Sequence, residues 1–256
     1  MKLRFLGYGN SNSERFGESS AVLEINQHTR LMIDCGHTAL KAYQQQYAEL
    51  PFAIYITHTH FDHIGGLEAL FYQAVFQDNL VKLFVPAPRV EALSRRISED
   101  LIALAEGGKN FWDAFQLIPV HQAFWYQGLS FKVFPSRHHA PDFCFGICLP
   151  GYFAYTGDTK PIPETLNTVA PNRELIFHDL SVHPQPSHTY LEELAQYSEQ
   201  QLQRMWFYHL SDDALPLVKS RGLRCVADRQ VFEFATEAKP SAAYIPTIID
   251  NVPQKA

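Results

Sequence analysis

The 256 residues contain no apolar run near the roughly twenty positions that a membrane-spanning helix needs, so no membrane association is expected. There is no long block of like charge and no basic stripe, and the net charge is −6, which argues against a surface built to grip a polyanion. Residues 1–10 lack the apolar core of a secretory signal and read as a first strand. Cysteine is scarce: Cys35, Cys144, Cys148 and Cys225 contain no C-x-x-C pair and read as reduced thiols, so the expected location is cytoplasmic. Repeats and low-complexity stretches are missing too. With 46% hydrophobic residues, the expectation is one globular domain over 1–256.

One segment stands out against that background. Residues 58 to 63 read His58-Thr59-His60-Phe61-Asp62-His63, after the apolar β-type run Phe52-Ala53-Ile54-Tyr55-Ile56-Thr57 and just before Gly65 and Gly66. Clustered imidazoles and carboxylates are poor core material and good ligands for zinc-like ions. Side chains at i and i+2 of an extended chain point the same way, so His58 and His60 can reach one ion together. Asp62 and His63 lie where the chain turns and can swing to a second ion. Those residues alone are too few for two ions, so other strand ends must supply more. Strand-like stretches do end in Arg137-His138-His139, in Gly157-Asp158 and in His209. His28, His121 and His183 fall outside the pattern and read as ordinary histidines. Asp158 alone would pass for a turn residue in Thr156-Gly157-Asp158-Thr159; the strand before it gives it more weight.

A strand ending in His-x-His-x-Asp-His-x-Gly-Gly, followed in order by His, Asp and His, closely resembles the metallo-β-lactamase superfamily. The resemblance implies a four-layer αββα sandwich of two mixed β-sheets flanked by helices, where periodicity alone supports only α/β or α+β. It puts His58, His60 and His139 on one divalent ion, Asp62, His63 and His209 on the other, and Asp158 between them. His139 is preferred to His138 because its spacing to Gly146 looks like the family's. Zinc is the first expectation for both ions, with Mn or Fe as alternatives, because affinity order alone does not decide occupancy. Asp34-Cys35-Gly36 resembles the superfamily's first motif, so Asp34 is expected to hydrogen-bond the loop carrying His58 and His60.

Residues Leu175-Ile176-Phe177-His178-Asp179-Leu180 and Pro186-Ser187-His188-Thr189 resemble the ribonuclease Z branch of phosphodiesterases. By that match Asp179 orients His188, and His188 faces the scissile phosphate to stabilise its charge or protonate the leaving oxygen. Asp62 would accept a proton as well as bind metal, and the attacking group would be a metal-bridged hydroxide. The branch's Glu is Asp179 here, and its long basic arm for tRNA is not evident. A small phosphodiester or cyclic nucleotide is therefore expected rather than tRNA, with RNA left open. The alternative on the same site is a carboxylic ester, thioester or lactone. A di-iron redox centre is disfavoured by His60, where those relatives carry Glu. A non-catalytic metal-binding protein is disfavoured by the full ligand set. Dimers are common among relatives, so a homodimer is an open expectation.

Helical patterns are expected near 39–48, 64–77, 89–106, 110–116, 190–203 and 212–221. Residues 89–118, including Leu101-Ile102-Ala103-Leu104 and Phe111-Trp112-Asp113-Ala114-Phe115, read as a helical insertion or lid. Arg95-Arg96 within it reads as a solvated face. Thr189-x-x-Glu192 reads as a capping box. Residues 237–256, with Pro240, Pro246 and Pro253, read as an extended tail.

Overall fold

The computed structural model describes residues 1–97 and 108–235, together with the backbone of a strand at 247–249. Its strands are β1 (Lys2–Gly7), β2 (Ser20–Glu24), β3 (Arg30–Ile33), β4 (Ala53–Tyr55), β5 (Val81–Pro86), β6 (Phe115–Val120), β7 (Ala123–Tyr126), β8 (Leu129–Pro135), β9 (Phe145–Leu149), β10 (Phe153–Tyr155), β11 (Leu175–Asp179), β12 (Met205–Tyr208), β13 (Val231–Glu233) and β14 (Thr247–Ile249). Its helices are α1 (His37–Tyr47), α2 (Phe61–Ile64), α3 (Leu67–Phe76), α4 (Val90–Ile97), α5 (Phe111–Ala114), α6 (Pro163–Val169), α7 (Glu199–Leu202) and α8 (Ala214–Ser220). An eight-stranded sheet runs β14-β13-β1-β2-β3-β4-β5-β6, and a six-stranded sheet runs β12-β11-β10-β9-β8-β7.

Strand alternation sends side chains to two different cores. In β3, Leu31 and Ile33 join the core between the sheets, while Met32 faces an outer core with Leu40 and Tyr43 of α1 and Leu67 and Leu70 of α3. In β4, Ala53 and Tyr55 point inward and Ile54 points outward. Strands β9 to β12 are buried along their whole length, as strands covered on both faces must be. Outside the second sheet, Cys148 Sγ meets the Val169 carbonyl at the end of α6 at 3.2 Å. The result is the expected αββα sandwich.

Aromatic rings dominate the inter-sheet core. Phe5 lies 5.0 Å from Phe177 and 6.0 Å from Phe232, and Tyr155 stacks on Tyr208 at 4.6 Å, between ring centroids. Such pairs add about 0.5–1.5 kcal/mol each beyond the area they bury. They also hold β10, β11 and β12 in line. These three strands are mutually parallel, as are β3 and β4, so each group delivers its C-terminal ends to one edge. That is where open α/β sheets carry their sites.

Several local expectations are corrected. The pattern 110–116 is one helical turn that runs straight into β6, which pairs parallel with β5. Strand β7 and helix α6 were not anticipated. The pattern 190–203 is a 3₁₀ stretch over Leu191–Gln196 followed by α7, and the pattern 64–77 divides at Gly65 and Gly66. Thr189 does not cap: its hydroxyl donates to the Thr159 carbonyl at 2.8 Å, and Tyr190 N takes the Glu193 carboxylate instead. Of the proposed insertion, Val90–Ile97 is helix and residues 98–107 lie outside the described residues. Of the proposed tail, 247–249 pairs antiparallel with β13, and the rest lies outside them. Among the described residues no helix is long and apolar enough to cross a membrane.

Gly146 of β9 sits opposite Phe134 of β8, and a Cβ there would fall 2.4 Å from the Phe134 ring and 2.6 Å from the Tyr155 carbonyl. The ring is buried and the carbonyl is backbone, so neither yields easily. Gly146→Ala is expected to lose about 1–3 kcal/mol, read by denaturant unfolding.

Candidate metal centre

The loops after β4, β8, β10 and β12 and the end of β11 converge on one point. After β4 the chain stays extended to His60, which then caps the single turn α2. His58 and His60 therefore share a side, and the turn carries Asp62 and His63 away to the other. The turn seats tightly against the loop after β3, because a Cβ on Gly36 would fall 2.2 Å from the Asp62 carbonyl.

The donor atoms form three overlapping groups, each within a 4.8 Å span: His58, His60, His138 and Asp158; Asp62, His63, Asp158 and His209; and Asp158, Asp179, His188 and His209. Asp158 belongs to all three. Its Oδ2 lies 3.6 Å from His58 Nε2, 3.8 Å from His138 Nε2 and 3.4 Å from His209 Nε2, and its Oδ1 lies 3.4 Å from His63 Nε2. Asp62 Oδ2 lies 3.4 Å from His63 Nε2 and 3.3 Å from His209 Nε2.

Hydrogen bonds on the far side of the rings set their tautomers. Asp34, fully buried with φ of 59°, accepts from Thr57 N at 2.7 Å, Thr57 Oγ1 at 2.8 Å and His63 Nδ1 at 2.7 Å. The Thr57 hydroxyl has then spent its proton on Asp34, so it accepts from His58 Nδ1 at 3.0 Å. One carboxylate thereby leaves the Nε2 lone pairs of both His58 and His63 facing the centre, as metal-binding histidines require. The expected hydrogen bond from Asp34 to the ligand loop is present. His138 Nδ1 donates to the Ser187 carbonyl at 2.9 Å, with the same consequence.

The donor set fits a cation. His60 Nδ1 lies 3.0 Å from His58 Nε2 and 3.2 Å from His138 Nε2, so unprotonated nitrogens converge. His63 Nε2 and Asp158 Oδ1 are buried and make no hydrogen bond among the described residues. Leaving such groups unpaired is costly, and a shared divalent ion satisfies them. Burial, and then the neighbouring His63, hold His58 well below the ordinary imidazole range; burial and His138 bring His60 down to about 4. Burial also opposes charge on His209, but Asp158 and the flanking Asp179 and Asp62 outweigh it and raise the ring to about 10. Burial pushes Asp158 up, yet His209 and His63 prevail and hold it well below the carboxylate range. The first group is thus neutral imidazoles around one carboxylate, and the second sets two carboxylates against two histidines, His63 and His209, whose pKa values, against burial, the neighbouring carboxylates raise.

Beside the centre, Asp179 Oδ2 accepts from His188 Nδ1 at 2.8 Å and from Thr159 N at 2.9 Å, and its Oδ1 lies 3.5 Å from His209 Nδ1. His188 stacks on His209 at 4.9 Å and stands 3.9 Å from Asp158 Oδ2. Burial works against its protonation, but Asp179 more than compensates and the pKa rises.

The structure brings His58, His60, Asp62, His63, Asp158, His209, Asp179 and His188 together. It does not bring in His139, the expected ligand of the first group. His138 takes that place because the alternation of β8 slips phase at Val133 and Phe134, both buried, after which Ser136 and His138 are buried and Pro135 and Arg137 exposed. His139 is exposed, in the left-handed region at φ 55°, with its ring at the rim 5.0 Å from that of His60 but outside the donor groups. The parity of Phe131 and Val133, extended along the chain, points to position 139, so the slip hid the choice.

The fold and the donor set define a protein of the metallo-β-lactamase fold class. Among solved structures of similar fold are a diphosphatase from the PhnP family (TM-score 0.71, 21% identity, covering 91% of this chain and 98% of that one) and the metallo-beta-lactamase fold protein YhfI from Bacillus subtilis (0.68, 14%, 90% and 98%). Human tRNase Z, short form, is also similar (0.61, 18%, 91% and 99%). The family described as Anti-Pycsar protein Apyc1 matches residues 1–232, and the chain belongs to that family. Its relatives include the Apyc1 proteins of Paenibacillus harenae, 29% identical over 83% of this chain and 90% of that protein, and of Bacillus phage 010DV004, with the same figures.

His138→Ala is expected to retain about one ion fewer per chain than His139→Ala after identical metal loading and desalting, read by elemental analysis. Equal contents in the two variants would put the ligand choice back in question.

Proposed function

We propose that the protein is a dinuclear-metal-dependent phosphodiesterase acting on a small phosphodiester, a cyclic nucleotide in preference to tRNA. The observation that carries this is the shared carboxylate of Asp158, with the His188–Asp179 pair 3.9 Å to one side. Family membership supports it, and it would account for the anti-Pycsar role for which the relatives are named. The net charge of −6 and the lack of a basic arm favour a small substrate over a polyanion.

In this reading His58, His60, His138 and Asp158 hold one ion, and Asp62, His63, His209 and Asp158 hold the other. Two such ions neutralise phosphoryl oxygens and bring the pKa of water down toward neutrality; zinc is the first choice. The chain's own contribution is orientation and charge. Asp34 holds His58 and His63 with their lone pairs forward. Asp179 fixes His188 with Nδ1 bound, which leaves Nε2 as the nitrogen that can meet a phosphate oxygen or leaving group. Asp62 is the carboxylate best placed to take the proton of attacking water.

Purified, metal-quantified protein is expected to hydrolyse bis(p-nitrophenyl) phosphate and to lose that turnover on chelation. His188→Ala should keep its metal and lose about 10²–10⁴-fold in kcat, the usual worth of a positioned acid or base. An unchanged His188→Ala rate would remove its assigned role. No turnover with both ions bound would shift the reading to carbonyl esters, thioesters or lactones, and after those to a non-catalytic role.

A further inference from the structure

His188 is carried by a loop whose backbone has few ties of its own. The loop is pinched at its base, where Ser181 N donates to the Thr189 carbonyl at 2.8 Å and Leu191 N to the Ser181 carbonyl at 3.1 Å. From Val182 to His188, no backbone group bonds another backbone group among the described residues. Two of these positions, Pro184 and Pro186, have no N–H to offer. The tip, His183 to Pro186, is exposed. Side chains from elsewhere must therefore fix the direction in which His188 faces Asp158.

His138 and the Thr159 carbonyl hold Ser187 and Thr189 by one hydrogen bond each, and a single bond fixes a point while leaving direction open. Lys160 supplies further points on both flanks of His188. It lies two residues after Asp158, and its own backbone is fixed: its N donates to the Arg137 carbonyl at 2.7 Å, and its carbonyl accepts from Thr159 Oγ1 at 2.6 Å. Before His188, Lys160 Nζ donates to the Gln185 carbonyl at 3.2 Å; after it, Nζ pairs with Glu193 Oε2 at 2.5 Å. The same Glu193 oxygen accepts from Tyr190 N at 2.8 Å, so the ion pair grips the backbone just past His188. Charge-assisted bonds of this kind are roughly twice as strong as neutral ones. Lys160 and Glu193 are 26% and 28% exposed, so water and salt screen them less than a fully exposed pair. The tie on the opposite side, His183 to Asp213 at 3.0 Å, is exposed at both ends and contributes little.

We propose that Lys160 is a positioning residue for His188: by holding Gln185 and Glu193 it sets the direction of the imidazole through the loop. The proposal rests on the phosphodiesterase reading for what His188 does, and it adds a group that lies outside the donor cluster. Without the ammonium, Glu193 keeps a charge with no cation beside it and the Gln185 carbonyl loses its donor. The loop then samples other directions, while Asp158 and the other donors stay where the strand ends place them. A catalytic group misplaced by about 1 Å can cost on the order of 10²-fold in rate.

The test compares wild type, Lys160→Met and Lys160→Arg at equal metal content, confirmed by elemental analysis. Hydrogen exchange followed by mass spectrometry reads the loop without any turnover. Lys160→Met should raise exchange in segment 181–191 about tenfold, the scale of one partly buried ion pair, with β10 and β12 unchanged. On bis(p-nitrophenyl) phosphate the same variant should lose about 10–100-fold in kcat at unchanged KM. Lys160→Arg, which keeps the charge and the donors, should recover most of that loss. In a His188→Ala background Lys160→Met should cost nothing further, which a general loss of stability would not reproduce. Unchanged exchange, a kcat that does not fall, or an equal loss with and without His188 overturns the proposal. Absence of turnover in the wild type would remove the phosphodiesterase reading; the exchange result then stands alone, a rise sustaining the hold on the loop and no change overturning it.

Discussion

The carboxylate of Asp158 is the constraint around which the centre is arranged. It is almost fully buried, and its two oxygens face His63 on one side and His58, His138 and His209 on the other. A buried anion is tolerated only when it is paired, and here every partner is itself a buried donor with a fixed orientation. The scaffold must therefore bring loops from both sheets to within a few ångströms of one side chain. Parallel strand runs in each sheet do this, and the stacked rings of Phe5, Tyr155, Phe177 and Tyr208 keep the sheets in register.

Two further buried carboxylates, Asp34 and Asp179, govern how the rings present themselves. Asp34 acts on His63 directly and on His58 through the Thr57 hydroxyl. Asp179 binds His188 at 2.8 Å and lies 3.5 Å from His209. Asp34 thus holds two histidines of the loop after β4 in the first sheet, and Asp179 holds two that follow β11 and β12 of the second. Lys160 adds an outer layer, in which one ammonium ties both flanks of His188 to the loop of Asp158.

Much of this was legible because it is local in the chain. His58 and His60 lie on one extended segment, and Asp62 and His63 in the single helical turn that follows it, so their spacing alone indicates two directions of reach. Asp158 and His209 were legible because each follows an apolar strand. His138 and His139 differ by one position, and that difference depends on the phase slip at Val133 and Phe134 of β8 and on a carbonyl from Ser187, distant in sequence. Strand β6 was hidden because Phe111 to Phe115 reads as helix and Pro119 disguises a strand that, as an edge, can tolerate it. The contacts of Lys160 are non-local, and nothing in its place two residues after Asp158 announces them. The fold class and most of the donors were therefore readable, while the choice between neighbours and the ties of the His188 loop were not.

The central claim is that one carboxylate serves two ions. Anomalous diffraction from crystals of metal-loaded protein tests it directly. The account predicts two peaks about 3.5–4 Å apart with Asp158 between them, the spacing of two-metal hydrolytic sites. A single peak at full loading, or two peaks that do not share Asp158, would contradict it.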